Sequence, residues 1–115
     1  MEYELQFRLM LNTDLSRKDI IMILKETYNE LVHDQENSCT FMGNRLELVN
    51  NEDYDSTMIN DPEDGYLYFR YLIGVYPIND NVILDDQVNL SKSLCECFNK
   101  RNIKTEIVAD FEELL

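Results

Sequence analysis

The residues of this chain that are best suited to bind a ligand or take part in a reaction are six carboxylates within the fifteen-residue stretch from 50 to 64. They are Glu52, Asp53, Asp55, Asp61, Glu63 and Asp64. Oxygen-rich stretches can bind Ca²⁺, and Asp53, Asp55 and Thr57 have the alternating spacing that opens a calcium-binding loop. Such a loop also needs a glycine at its sixth position and a glutamate at its twelfth, where this sequence has Met58 and Asp64. We therefore expect no metal and no other cofactor.

The same stretch contains three large apolar side chains, Tyr54, Met58 and Ile59, and no basic residue. Apolar anchors inside an acidic ring are typical of a protein–protein interface. The alternative is that the three side chains fold back onto the domain while the acids face solvent. The interface interpretation includes two tyrosines that follow the stretch. It predicts a partner-binding set made of Glu52, Asp53, Tyr54, Asp55, Met58, Asp61, Glu63, Asp64, Tyr66 and Tyr68.

Side chains with catalytic potential are scarce. The single histidine, His33, is expected at the end of the first helix, where the helix dipole favours a cation, rather than in the role of a general base. The three glycines are too far apart for a phosphate-binding loop. Three cysteines, Cys39, Cys95 and Cys97, are odd in number and have neither CxxC nor zinc spacing, so we expect reduced thiols. These features predict a protein that is not an enzyme.

The first third of the chain has two clear periodic patterns. Strict alternation of apolar and polar residues over 3–11 predicts a strand. Apolar residues that recur at intervals of three and four predict an amphipathic helix over 16–34, which begins with the capping pair Ser16 and Asp19. The polar residues 33–40 are expected to form a loop.

The remaining elements follow in the same way. Residues 41–49 are predicted to form a second strand, with a hairpin-like bend around Met42-Gly43-Asn44. After the long connection 50–64, aromatic and β-branched residues predict the strongest strand over 66–77. A helix from about 85 to 101 and a strand over 103–109 complete the pattern, and a short acidic tail follows.

The order strand, helix, strand, strand, helix, strand predicts an α+β fold of the ferredoxin-like type. We expect a single domain over 1–115, with a four-stranded antiparallel sheet and two helices on one face. The first and third strands would lie at the centre of the sheet. The open face would carry Arg8, Arg45, Glu47, Tyr68, Arg70 and Glu106.

The segment Asp64-Gly65-Tyr66-Leu67-Tyr68-Phe69-Arg70-Tyr71 resembles the first ribonucleoprotein motif of the RNA-recognition motif family, which has this same fold. The resemblance implies that bases would stack on Tyr66 and Tyr68. The family has a basic residue before the glycine, where this chain has Asp64, and an aromatic residue where the first strand has Gln6 and Arg8. A small RNA-binding module is therefore kept as an alternative.

The charge of the chain argues against that alternative. Asp and Glu number 23 and Lys and Arg number 10, which gives a formal net charge of −13. Such a field repels nucleic acids and anionic membranes and attracts basic proteins. No signal-peptide pattern opens the sequence, and no apolar run approaches the roughly 20 residues of a membrane span. We expect a cytoplasmic monomer or weak dimer that binds a basic protein and has no affinity for nucleic acid or membrane.

In its size, its acidity and its long connection rich in acidic and apolar residues, the chain resembles the small acidic immunity proteins of bacterial toxin–immunity systems. The resemblance is carried by Asn51-Glu52-Asp53-Tyr54-Asp55, by the segment from Asp64 to Tyr71 and by Ala109-Asp110-Phe111-Glu112-Glu113-Leu114-Leu115. It implies stoichiometric inhibition of a basic toxin domain, such as a nuclease, with carboxylates in place of substrate phosphates. The alternative is a phage or mobile-element protein that mimics DNA to block a host nuclease.

Overall fold

The computed structural model describes residues 2–115, which form six strands and two helices. The strands are β1 (Phe7–Asn12), β2 (Val32–Gln35), β3 (Ser38–Phe41), β4 (Asn44–Asn50), β5 (Tyr71–Pro77) and β6 (Lys104–Ala109), and the helices are α1 (Arg17–Thr27) and α2 (Leu84–Asn99). All strand pairs are antiparallel, in the order β2-β3-β4-β5-β1-β6. The predicted α+β class with an open antiparallel sheet is confirmed, and the predicted count of four strands is wrong.

One hydrophobic core joins a face of the sheet to both helices. Side chains alternate across a strand, so every second residue of β1 and β5 enters this core. The helices supply residues at intervals of three and four, as the periodicity predicted. The fully buried members include Leu9, Leu11, Ile20, Ile73, Val75, Leu94 and Phe98. The predicted first and third strands, β1 and β5, are neighbours in the interior of the sheet, but β2 and β3 extend the sheet beyond β4, so its centre lies between β4 and β5 and not between β5 and β1 as predicted.

The two unpredicted strands come from residues assigned to a longer helix and a loop. The helix predicted over 16–34 ends at Thr27, where Tyr28 adopts an extended backbone (φ −119°, ψ 102°). β2 and β3 then form a hairpin within 32–41. All four residues of β2 are exposed at the sheet edge, so neither face needed apolar side chains and the sequence carried no alternation.

The strand predicted over 41–49 is divided by a tight turn at Met42–Gly43, which confirms the expected hairpin-like bend. The strand predicted over 66–77 begins only at Tyr71, because residues Gly65–Tyr68 form a 3₁₀ turn. Tyr68 and Arg70 therefore do not belong to the open face of the sheet, contrary to the prediction.

The open face is also partly covered. Met10 lies on the face opposite Leu9 and Leu11, which the alternation over 3–11 assigns to the open side of the sheet, yet it is only 4% exposed. Its partners across the ladder are Leu72 and Glu106, and the 3₁₀ turn packs against β1. The connection between β4 and β5 thus folds over part of the sheet instead of extending into solvent.

The C-terminal residues are more than an acidic tail. Phe111 is fully buried and meets Phe7 edge to face, with ring centroids 5.7 Å apart. A short 3₁₀ turn over Glu112–Leu114 follows it. One aromatic side chain therefore fastens this end of the chain to the core, while the acids around it face solvent.

Candidate functional site

Residues 51–70, here called the acidic connection, are organised around the side chain of Asn51. Its amide nitrogen donates hydrogen bonds to the carbonyl oxygens of Leu67 (2.9 Å) and Phe69 (2.7 Å), and its amide oxygen accepts one from the Asp53 N–H (3.1 Å). The backbone N–H of Asn51 also donates to the carbonyl oxygen of Arg70 (2.9 Å). Asn51 is 8% exposed, so one buried amide ties the start of the connection to its end.

Two of the six carboxylates serve this internal structure. One oxygen of Asp55 accepts hydrogen bonds from the N–H (2.9 Å) and the hydroxyl (2.6 Å) of Thr57, which hold the Asp55 pKa below its usual value. One oxygen of Asp61 accepts from the N–H groups of Asp64 and Glu63, both at 2.9 Å, and these bonds lower the Asp61 pKa. Both carboxylates are therefore committed to turns in addition to carrying charge.

The other four carboxylates, Glu52, Asp53, Glu63 and Asp64, point outward. All four are exposed, and none takes part in the ion pairs formed within residues 2–115. The connection contains one base, Arg70, whose guanidinium lies 3.8 Å from Asp14 outside the connection. The four charges are thus presented to solvent without a neutralising partner.

Apolar groups accompany these charges. Tyr54 is 44% exposed, Met58 39% and Leu67 43%, whereas Ile59 is half-buried. The two alternatives considered for these apolar side chains therefore each hold for some of them. Ile59 turns inward, whereas Tyr54 and Met58 remain accessible to a partner. Gly65 is buried against this inner part, where an added Cβ would lie 2.4 Å from the Ile59 carbonyl oxygen.

All ten residues of the predicted partner-binding set lie in the acidic connection. The backbone N–H of Asp55 donates to the carbonyl oxygen of Tyr68 (3.2 Å), which joins the two arms of the connection. Tyr66 and Tyr68 are half-buried in the 3₁₀ turn. They do not stand on a strand, so the stacking platform implied by the RNA-recognition resemblance is not formed. The sequence analysis did not identify the structural role of Asn51 or the exposure of Leu67. A hydrogen bond from an asparagine to carbonyl groups far along the chain leaves no periodic pattern in the sequence.

The rest of the open face carries mixed charge. The Arg45 guanidinium lies 3.2 Å from Glu47 and 3.7 Å from Asp34, so this base is neutralised by its neighbours. Arg8 and Glu106 are exposed on β1 and β6. This surface is less acidic than the connection and offers a basic partner less attraction.

Two candidate catalytic residues, His33 and Cys39, are direct partners on the β2–β3 ladder. His33 lies on β2 and not at a helix end as predicted, and its Nε2 is 3.1 Å from the carbonyl oxygen of Glu36. Cys39 is buried, and burial together with the charge of Asp34 raises its pKa to about 11, which opposes thiolate formation. Within residues 2–115 no three His, Cys, Asp or Glu side chains are grouped so that they could hold a metal ion.

Comparison with known proteins gives no relative: no family model, no curated protein and no solved structure matches this chain. Across residues 2–115, no helix combines the length and the apolar character needed to cross a membrane.

Proposed function

We propose that this chain is a stoichiometric inhibitor that binds a basic protein through the acidic connection. The observation that carries the proposal is the combination of a fixed backbone with unneutralised outward groups. Asn51 fixes both ends of the connection, while Glu52, Asp53 and Glu63 lie on its exposed side. Such a pre-ordered surface loses little conformational entropy on binding.

The charges and the apolar groups have different tasks in this proposal. Exposed carboxylates create a field that steers a basic partner and raises its association rate. Tyr54 and Met58 supply apolar area that is desolvated at the contact and slows dissociation. The partner that fits best is a basic toxin domain, such as a nuclease whose phosphate-binding groove accepts the carboxylates. The chain would then act in the cytoplasm as an immunity protein.

In terms of fold, we interpret β1, α1, β4, β5, α2 and β6 as a ferredoxin-like unit. The order of its strands in the sheet, β4-β5-β1-β6, supports this interpretation. The β2–β3 hairpin would be an extension at the β4 edge, and the acidic connection an insertion in the β4–β5 link.

The test begins with partner capture from the native host at low salt and continues with binding kinetics. One variant combines Glu52→Gln, Asp53→Asn, Glu63→Gln and Asp64→Asn. The matched control removes the same number of exposed acids from the helices and loops away from the connection, by Glu26→Gln, Glu30→Gln, Glu36→Gln and Glu96→Gln.

We expect the connection variant to associate about tenfold or more slowly than the wild type at low salt, with a smaller difference at high salt because ions screen over about 8–10 Å. Its residence time should hardly change, whereas Tyr54→Ala should shorten the residence time at every salt concentration. Equal association rates for the connection variant and the control would refute the proposal. A captured toxin supports an immunity protein, and a captured host nuclease supports a DNA mimic.

A further inference from the structure

The turn between β3 and β4 contains a residue that its backbone does not favour. Phe41 pairs with Asn44, so Met42 and Gly43 form a two-residue hairpin loop, and their φ angles are +50° and +73°. Two positive φ angles are typical of a type I′ turn, which prefers Asn or Asp followed by Gly. The other described non-glycine residue with positive φ is Asn102, a residue type that tolerates this conformation. The formation of the turn therefore does not explain why a methionine occupies position 42.

A buried hydrogen-bond network holds this turn in place. Asn44 and Gln87 are fully buried and exchange two amide hydrogen bonds, of 3.0 Å and 2.9 Å. Asn44 also donates to the Met42 carbonyl oxygen (3.1 Å), and the Ile78 N–H donates to the Gly43 carbonyl oxygen (2.8 Å). Backbone strain persists where the surrounding structure enforces it, and it is concentrated at functional positions.

The turn exposes its methionine to solvent, and the segment that adjoins the turn exposes two further apolar side chains. Met42 is 48% exposed, and Ile78 and Ile83 are each 56% exposed. The turn touches their segment directly, because a Cβ at Gly43 would lie 2.8 Å from Val82. We call Met42, Ile78 and Ile83 the Met42 surface. Exposed apolar side chains on adjoining segments, unlike singly scattered ones, are typical of interaction sites.

The charges near the Met42 surface select the kind of partner. Residues 76–91 include Asp80, Asp85 and Asp86 and no lysine or arginine. Asp80 and Asp85 are exposed, and Asp86 accepts the Ile83 N–H at 3.2 Å. Arg45, on the other side of the turn, is ion-paired with Asp34 and Glu47. The charges left free beside the apolar centre are therefore acidic, and the complementary ligand carries basic residues around an apolar side chain.

We propose that the Met42 surface is a second docking site, which binds an apolar side chain within a basic protein segment. It lies at the opposite end of β4 and β5 from the acidic connection, since Asn44 pairs with Pro77 whereas Asn50 pairs with Tyr71. The inference does not depend on the function proposed for the connection.

The test uses a phage library of random peptides, selected on the wild-type chain. Binding of the enriched peptides is then measured with Met42→Asn and Ile78→Asn, and with Met22→Gln as the control. Met22 on α1 is 45% exposed, which matches Met42. Asn suits the turn conformation, so Met42→Asn should keep or raise the unfolding midpoint, and this separates a binding defect from misfolding.

We expect peptides in which Lys or Arg flank a large apolar residue. They should bind Met42→Asn and Ile78→Asn at least tenfold more weakly than the wild type, and Met22→Gln within about twofold of it, as for a binding hot spot. No enrichment, or equal binding to Met42→Asn, overturns the proposal. A wild-type dimer that Met42→Asn dissociates in sedimentation velocity also overturns it, because the occupant is then a second copy.

The four-acid connection variant separates this proposal from the proposed function. Peptides that bind the Met42 surface should keep their residence time on that variant. If every enriched peptide loses binding to the connection variant and none loses binding to Met42→Asn, the Met42 surface is overturned and the proposed function is supported.

Discussion

Replacing Asn51 by Asp tests whether one amide holds the acidic connection. The substitution keeps the oxygen that accepts the Asp53 N–H, but it places an oxygen where the amide nitrogen now lies, 2.9 Å from the Leu67 carbonyl oxygen and 2.7 Å from that of Phe69. Two attractive contacts become repulsive ones, with almost no change in side-chain volume.

The size of the effect follows from these contacts. A hydrogen bond contributes about 1 kcal/mol net, and a buried polar group left without a partner costs about 1–3 kcal/mol. Asn51→Ala loses three side-chain bonds and should lower the free energy of unfolding by about 3 kcal/mol. At neutral pH Asn51→Asp should cost more than Asn51→Ala, because a buried carboxylate then faces two carbonyl oxygens.

The pH dependence separates the two variants. Burial and the facing carbonyls raise the pKa of the new carboxyl above the usual aspartate value in the folded state. Its destabilising effect is therefore fully present above that raised pKa and declines as the pH falls through it, since the protonated acid can donate one hydrogen bond. The Ala variant has no group that titrates in this way.

Urea unfolding followed by circular dichroism measures the free energies, and amide hydrogen exchange at Tyr54 and Gly65 reports the connection itself. Asn60→Ala is the control, because Asn60 is an exposed asparagine in the same connection. If Asn51→Asp at pH 7 is as stable as the control and exchanges no faster, then Asn51 does not organise the connection, and the pre-ordered surface loses its basis.

Three further predictions concern stability. Gly65→Ala should cost about 1–3 kcal/mol and speed amide exchange in the connection, because its Cβ would lie 2.4 Å from the Ile59 backbone oxygen; an unchanged urea midpoint would contradict this. Phe111→Ala should cost about 3–5 kcal/mol in urea unfolding and the exposed Leu114→Ala less than about 0.5 kcal/mol, and equal losses would refute a core role for Phe111. In an NMR titration the Asp61 carboxyl should have its midpoint below the ordinary aspartate value, so its stabilising contribution is present above that value and lost as the pH falls through the lowered pKa; a midpoint at or above the ordinary value would contradict the hydrogen bonding described here.

The central part of the fold could be predicted because burial leaves a periodic pattern. β1 and β5 each have one face in the core, and α1 and α2 each have one buried stripe. The sequence therefore had to place apolar residues at intervals of two or of three and four. The capping pair Ser16 and Asp19 likewise marked the start of α1, and both of its reciprocal hydrogen bonds are present.

The wrong secondary-structure predictions concern segments whose conformation is determined by tertiary contacts. β2 is an exposed edge strand held by its ladder with β3, and its residues carry no alternation. The pattern at 66–70 is typical of a strand. The Asn51 amide, however, donates hydrogen bonds to the carbonyl oxygens of Leu67 and Phe69, which in a strand would accept hydrogen bonds from a neighbouring strand. Pairing with a distant side chain therefore overrides local propensity.

The sequence predicted which residue types make up the candidate site, but it did not predict how they are arranged in space. The acids of the connection are visible in the sequence, whereas the use of Asp55 and Asp61 as turn acceptors depends on which N–H groups the backbone brings to them. The exposure of Met42 is less visible still, because an apolar residue between two strand patterns resembles a core position. Only its positive φ and its 48% exposure separate it from the core methionine Met10.

The two proposed surfaces place a limit on the partner. β5 spans seven residues between them, which corresponds to roughly 20 Å. An interface of ordinary size buries about 800 Å² on each protein, so one partner could reach both ends only by lying along the open face of the sheet. That route crosses Tyr76, whose ring lies over Gly74, and the ion-paired Arg45. Because this face has mixed charge and the two ends are acidic, the attraction for a basic protein is concentrated at the ends, and two separate contacts are the arrangement that the charge distribution favours.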